Sequence, residues 1–258
     1  MPSILFKIQN GVAIITLNRP EKFNAFNREM ALLMQAYLDE CATVPDIRCV
    51  YISGMGKAFS AGQDLSELTG ENAIGIDQIL SDHYNPIVTK IRNMPKPVVA
   101  AVNGVAAGAG ANIALTCDVV VAATSASFIQ AFSKIGLIPD SGGTYFLPKL
   151  VGFQKASALM MLGDKVSANE AEKLGMVYKV FADENFADES FKIAATLAQM
   201  PTMGLAFTKH ALNNSFSNSF EAQLIKEDEL QQKAAKTNDY NEGVAAFLEK
   251  RVPKFNGN

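Results

Sequence analysis

Histidine and cysteine are scarce in this chain, with two and three copies in 258 residues. His83 and His210 stand alone, with no second histidine or cysteine at ligand spacing from either, so the pattern offers no metal centre. Cys41, Cys49 and Cys117 lack metal-ligand spacing as well, and an odd count closes no disulfide framework. They read as reduced, buried thiols of a cytoplasmic protein. Charge of one sign is also lacking. Lys and Arg number 23 against 26 Asp and Glu, a net −3, mixed along the chain. A nucleic-acid-binding face needs a basic excess, so no nucleic-acid partner is expected. No apolar run is long enough to cross a bilayer, and the first residues, MPSILFKIQNG, lack the basic start and long apolar core of a signal peptide. Membrane attachment is therefore not expected. Gly-x-Ser-x-Gly and P-loop patterns are missing too, as is any low-complexity run.

What the chain does have is 48% hydrophobic residues, enough for a sizeable core in one or two domains. The stretch from Val98 to Thr144 organises the rest. It opens with VVAAV, the continuous apolar pattern of a fully buried strand, and breaks at Asn103-Gly104. Ala106-Ala107-Gly108-Ala109-Gly110-Ala111 follows without one bulky side chain, so another chain or a ligand can approach the backbone closely. A helical pattern begins by Asn112. Strand, small-residue turn and helix N-terminus together present free N–H groups to something negative. The stretch ends at Ile138-Pro139-Asp140-Ser141-Gly142-Gly143-Thr144, a second turn opening a second helix with one carboxylate at its lip.

Upstream, Asn10-Gly11 between two apolar runs is a hairpin signal. Asn27 is placed to cap a helix running through Glu29 to about residue 42, with Met30, Leu33, Met34, Tyr37, Leu38 and Cys41 on one face. Residues 48–53 read as a third strand, and a glycine-rich loop follows through Leu65. Residues 67–75 show poor periodicity and read as a mobile surface segment, before a helix over 76–92. Downstream, short helices are expected over 144–147, ending before Pro148, and over 155–162. Ser167-x-x-Glu170 has the form of a capping box, with Gly175 where that helix stops. Residues 176–181 read as a last strand, and everything after Asn185 as helix. The organisation is an α/β core over residues 1–185 and a helical region over 186–258.

Six segments taken together resemble the crotonase (enoyl-CoA hydratase/isomerase) superfamily over nearly the whole chain. They are Leu17-Asn18-Arg19-Pro20 with Asn24-Ala25; Phe59-Ser60-Ala61-Gly62-Gln63-Asp64-Leu65; Lys96-Pro97 with Ala101-Val102-Asn103-Gly104; Gly136-Leu137-Ile138-Pro139 with Gly142-Gly143-Thr144; Ser167-Ala168 with Gly175-Met176-Val177; and Glu242-Gly243 with Phe247-Leu248-Glu249-Lys250-Arg251. The resemblance implies a crotonase spiral of repeated ββα turns with a C-terminal helical region that assembles as a homotrimer or a dimer of trimers. It implies an acyl-CoA substrate and an oxyanion hole made of two backbone N–H groups, those of Gln63 and Ala109. No metal or redox cofactor is implied, the coenzyme A entering as part of the substrate. By the same resemblance Lys22, Phe23, Asn24, Ser60 and Ala61 lie along the coenzyme A. Asp64, Leu65, Gly108 and Phe132 border the substrate, and Lys22 and Lys250 are candidates for its phosphates, or else ordinary solvated lysines.

Hydratases of this family add water with two glutamates, which would fall at Asn112 and Phe132. Asparagine exchanges no proton at neutral pH and phenylalanine has none to give, so general acid–base hydration loses both players. Asp140 stands where the hydratase pattern has glycine. It resembles the isomerase branch, above all the members that rearrange ring-1,2-epoxyphenylacetyl-CoA to the oxepin in phenylacetate catabolism. Asp140 is also a plain candidate for a helix N-cap, the simpler reading from residue type and spacing alone. The expectation is an isomerase in which Asp140 moves protons beside the oxyanion hole, on a ring epoxide or in a 3,4- to 2,3-enoyl-CoA shift of fatty acid metabolism. The alternatives are a β-oxidation enoyl-CoA hydratase and a non-catalytic acyl-CoA-binding member of a catabolic complex.

Overall fold

The computed structural model describes residues 1–69 and 73–258. Asn10 and Gly11 both take positive φ, 52° and 76°, so a two-residue turn joins β1 (Ile4–Gln9) antiparallel to β2 (Val12–Leu17) as the sequence predicts. The Asn27 side chain accepts from Met30 N–H at 3.0 Å and starts α1 (Arg28–Thr43). Met30, Ala31, Met34, Leu38 and Cys41 form its buried face. From there the chain alternates between two sheets. β3 (Cys49–Gly54), β5 (Val98–Val102), β7 (Val119–Ala123) and β10 (Lys179–Phe181) extend β1-β2 into a six-stranded sheet, parallel after β2. β4 (Ala58–Ser60), β6 (Val105–Ala107), β8 (Ser127–Ile129) and β9 (Lys165–Ser167) make a second, four-stranded sheet. The β3-β4, β5-β6 and β7-β8 circuits each give one strand to each sheet and then a helix, whereas a helix comes between β9 and β10 in the last. β5 is buried throughout, as a strand covered on both faces must be.

Helical residues separate the circuits. α2 (Ile76–Gln78) passes through a π-helical stretch, Ile79–Tyr84, into α3 (Asn85–Asn93). α4 (Ala109–Thr116) is buried along its whole length and starts earlier than its apolar period suggests, directly after Gly108. α5 (Gly143–Val151) does not end before Pro148 but runs through it. Only the bond to the Thr144 carbonyl is lost, while buried Leu147 and packing on α4 and α6 (Phe153–Leu162) hold the helix. Ser167 caps α7 (Ala168–Lys173) through Glu170 N–H, and Gly175 (φ +80°) turns the chain away. The expected last strand shortens to β10.

Four helices follow: α8 (Phe186–Gln199), α9 (Thr202–Ser215), α10 (Phe220–Ala234) and α11 (Asn238–Glu249). α8 lies on β3, β5 and β7, with Tyr51 Oη 2.8 Å from Ser190 Oγ. Arg48 reaches Thr202 Oγ1 and the Met200 and Phe255 carbonyls, tying the last residues to the start of β3. Cys41, Cys49 and Cys117 are buried and unpaired, and burial raises the Cys41 and Cys117 thiols to about 12. No helix among the described residues is long and apolar enough to cross a membrane.

Candidate active site

A cavity of about 470 Å³ opens where the β4 loop, the N-terminus of α4, the π-helical stretch and the loop before α5 converge. Ala61, Gly62, Gln63 and Leu65 form one wall, and Leu68, Ile76, Ile79, Leu80 and Tyr84 a second. Gly108, Ala109 and Phe132 close the floor, and Leu137 to Asp140 bring the carboxylate in from the remaining side. Its size and apolar lining suit a small acyl group. Residues 70–72 of the expected surface segment lie outside the described residues.

Gln63 and Ala109 meet here for reasons written in the local backbone. Phe26 N–H donates to Gly62 O at 2.7 Å, and Asp64 N–H donates to Phe26 O at 2.8 Å. In a trans peptide the C=O and N–H point oppositely, so holding the Gly62 carbonyl aims the Gln63 N–H the other way. Ala109 is the first residue of α4. Its peptide carbonyl, Gly108 O, accepts from Asn112 N–H at 3.2 Å, which leaves the Ala109 N–H projecting from the helix start. Neither amide has a protein acceptor among the described residues. A Cβ built on Gly62, at φ +88°, would lie 3.3 Å from Ala109 N and 3.0 Å from Ala107 O. One on Gly110 would lie 2.5 Å from Ser60 O. Only glycine lets the two backbones approach this closely. Two fixed donors beside one apolar cavity can stabilise charge that develops on an oxygen.

Asp140 lines the same cavity as this pair. Its carboxylate accepts from Ser141 Oγ at 2.8 Å and caps nothing, because α5 starts from Gly142 without a side-chain cap. Burial raises its pKa above the ordinary aspartate range, and the Ser141 bond pulls less strongly the other way. The loop is held by its backbone instead. Asp140 O accepts from Asn112 Nδ2 and from Gly143 N, both at 2.8 Å, while Asn112 Oδ1 accepts from Gln130 Nε2 at 2.8 Å. Asn112 is 1% exposed and lines no part of the cavity.

The other expected residues divide. Leu65, Gly108 and Phe132 line the cavity, Gly108 at φ +53°. Ala61 lines its rim and donates its N–H to Phe23 O at 2.9 Å, which brings the exposed Lys22 and Phe23 alongside. Asn24 is fully buried and latches the turn, donating to Met55 O and Ala58 O and accepting from Arg19 N–H. Ser60 is buried too, its Oγ donating to Asn24 O. Asp64 turns away from the cavity. Burial opposes its charge, but Ser66 and the Arg19 guanidinium outweigh that and hold the carboxyl at about 2. Lys250 ends α11 at φ +56° and is not among the lining residues.

Sequence reasoning missed the structural roles of two residues. Asn112 stood out only as the replacement of a hydratase glutamate, and its part in seating the Asp140 loop follows from the need of a buried amide in an apolar helix to find partners. Tyr84 Oη donates to Gln63 Oε1 at 2.8 Å, a contact across 21 residues with no local signal. A wider groove of about 800 Å³ runs beside β7, β10 and α8. Its acids are already paired, Asp118 with Arg92 and Lys209 and Glu189 with Lys192.

Comparison with known proteins agrees with this geometry. Residues 7–258 match the family Enoyl-CoA hydratase/isomerase. The chain is 45% identical to 1,2-epoxyphenylacetyl-CoA isomerase of Escherichia coli (strain K12), covering 100% of this chain and 99% of that one. It is 42% identical to a Rhodobacter capsulatus protein named "Probable enoyl-CoA hydratase", covering 99% and 98%. The crystal structure of an enoyl-CoA hydratase from Polaromonas sp. JS666 superposes with a TM-score of 0.91 at 34% identity, covering 98% of this chain and 99% of that chain. With the crotonase fold, the paired amides and a family match over nearly its full length, the chain is an enzyme of the enoyl-CoA hydratase/isomerase family.

Proposed function

We propose that the enzyme isomerises acyl-CoA thioesters without adding water. Asp140 carries this assignment, being the only carboxylate among the described residues that line the cavity. The thioester oxygen sits between the N–H groups of Gln63 and Ala109. Asp140 takes a proton from C2 of a 3-enoyl-CoA, the electron pair passes into the enolate, and the proton returns at C4. The double bond then lies between C2 and C3. A partly desolvated carboxylate is a stronger base than an exposed one, which supports Asp140 in this role.

The same apolar cavity suits a ring epoxide conjugated to the ring's own diene and carried on the methylene next to the thioester. The Escherichia coli relative's name supports ring-1,2-epoxyphenylacetyl-CoA to oxepin-CoA as a second reaction. Lys22, Phe23, Asn24, Ser60 and Ala61 form the coenzyme A track, supported by the Phe23–Ala61 bond at the rim. No other cofactor takes part. The chain works in the cytoplasm as a homotrimer or dimer of trimers. Exposed Phe220, Ile225, Phe247 and Leu248 on the 186–258 helical region support burial of that face between subunits.

The test is incubation with a 3-enoyl-CoA in deuterated water, comparing wild type with Asp140→Asn. The substitution spares the loop, because Asn112 and Gly143 hold the backbone carbonyl and not the carboxylate. Conjugated 2-enoyl-CoA is expected from the wild type, with deuterium at C4 only to the extent that the Asp140 carboxyl exchanges with solvent before the proton returns, and with turnover about 10²–10⁴-fold lower in the variant. A 3-hydroxyacyl-CoA product would replace this reading with hydration, and near-normal turnover by Asp140→Asn would remove Asp140 as the proton carrier.

A further inference from the structure

The Gln63 side chain takes no part in an oxyanion role played by its backbone, yet it is held at both ends. Tyr84 Oη donates to its Oε1 at 2.8 Å, and its Nε2 donates to Glu67 Oε2 at 3.0 Å. Glu67 Oε1 accepts the Arg28 N–H at the start of α1, at 2.8 Å. A continuous chain of hydrogen bonds thus joins the π-helical stretch, the β4 loop and α1. Tyr84 is 1% exposed, and its ring meets Phe26 edge-on at 6.0 Å between centroids. Phe26 is the residue that holds the Gly62 carbonyl. Burial first, then the Asp140 and Glu67 carboxylates, keep the phenol protonated well above its ordinary range, so it remains a donor.

A backbone donor stabilises developing charge only if it is already aimed when the charge forms. Gly62, at positive φ, restrains the following peptide little. The Phe26 bond fixes one side of that peptide, and a side chain anchored beyond Cα of residue 63 fixes the other. We propose that Tyr84 and Glu67 clamp the Gln63 side chain and so hold its backbone N–H in register with that of Ala109. Tyr84 is then a positioning residue: its ring belongs to the cavity wall, but its hydroxyl is committed to Gln63 and acts through it. The clamp rests on the oxyanion assignment made above.

A reporter of carbonyl polarisation separates the two ideas. The CoA thioester of 4-dimethylaminocinnamic acid absorbs further to the red as its carbonyl is polarised, and it binds without reacting at C4. Full-length wild type, Tyr84→Phe, Gln63→Met and the double variant are titrated with it and assayed on a 3-enoyl-CoA. Tyr84→Phe keeps the ring packing and removes one hydroxyl. It is expected to bind the probe with little change in affinity, to show a smaller red shift and to lose about three- to tenfold in kcat. Gln63→Met behaves alike, and adding Tyr84→Phe to it costs nothing further, because the coupling runs through Gln63. An unchanged red shift in Tyr84→Phe overturns the clamp, as do additive losses in the double variant, which would mean a direct contact between the Tyr84 hydroxyl and substrate. No red shift in the wild type removes the oxyanion assignment itself.

Discussion

Replacing Gly62 by alanine tests the closest backbone approach around the cavity. Two separate costs follow from the geometry. At φ +88° an L-residue is strained, by about 1–2 kcal/mol. The new methyl would also stand 3.0 Å from Ala107 O and 3.3 Å from Ala109 N. One of these two backbones must therefore give by a few tenths of an ångström, and the methyl covers the Ala109 amide where the thioester oxygen should sit. Loss of one such donor typically costs about 2.7–4 kcal/mol of transition-state stabilisation, so kcat for a 3-enoyl-CoA should fall about 10²-fold or more. Strain alone should lower Tm by roughly 2–8 °C in a chain of this size.

Gly152→Ala is the control. Gly152 has φ +78°, but a methyl added there would meet nothing within 4 Å, and it sits between α5 and α6 away from the cavity. It should show a comparable Tm loss with turnover unchanged. Steady-state kinetics and thermal unfolding of the three proteins decide the matter. Gly62→Ala with the turnover of Gly152→Ala would refute the claim that the 62–63 peptide and the α4 start form one oxyanion site.

Two further outcomes follow from the carboxylates. Ser141→Ala removes the side-chain bond that stabilises ionised Asp140, so the acid limb of kcat/KM should move to higher pH, since the base must be ionised to act. A limb that stays put or moves down would disconnect Asp140 from the rate. Asp64 has its pKa lowered from 3.8 to about 2 in the folded chain, so its contribution to stability is present above about pH 4 and lost as pH falls toward 2. Asp64→Asn should therefore be less stable than wild type at pH 7, with the gap between urea midpoints narrowing below pH 4. A gap independent of pH would show that the Arg19–Asp64 pair is not its source.

Legibility in the sequence tracked the range of the interactions involved. The Asn10-Gly11 hairpin, the Asn27 and Ser167 caps and the buried Val98–Val102 strand are local, each specified by neighbours within a few positions. The second sheet was not legible, because β4, β6, β8 and β9 have three residues each, too few to show a period. Pro148 misled, since tertiary packing carries α5 through a residue that ends many helices. At the site, the small-residue turn and the acid after Ile138-Pro139 were visible, and their convergence on one cavity is what the fold adds. The bonds of Tyr84 to Gln63 and of Asn112 to the Asp140 loop span 21 and 28 residues and leave no mark on either neighbourhood.

Asn112 also limits what this scaffold can become. By the resemblance it falls where the hydratase pattern has its first glutamate, and here its amide holds the Asp140 loop while Gly143 lies against it, a methyl there falling 2.3 Å from Nδ2. Installing glutamate would remove the donor that seats the Asp140 loop, while the new acid would start from a buried position outside the cavity lining. The intermediate sequence loses one chemistry before it gains the other. The two reactions are thus separated by at least two coupled substitutions, and a laboratory search for hydration starting from this chain would have to change residues 112 and 132 together while keeping the Asp140 loop seated and residue 143 a glycine.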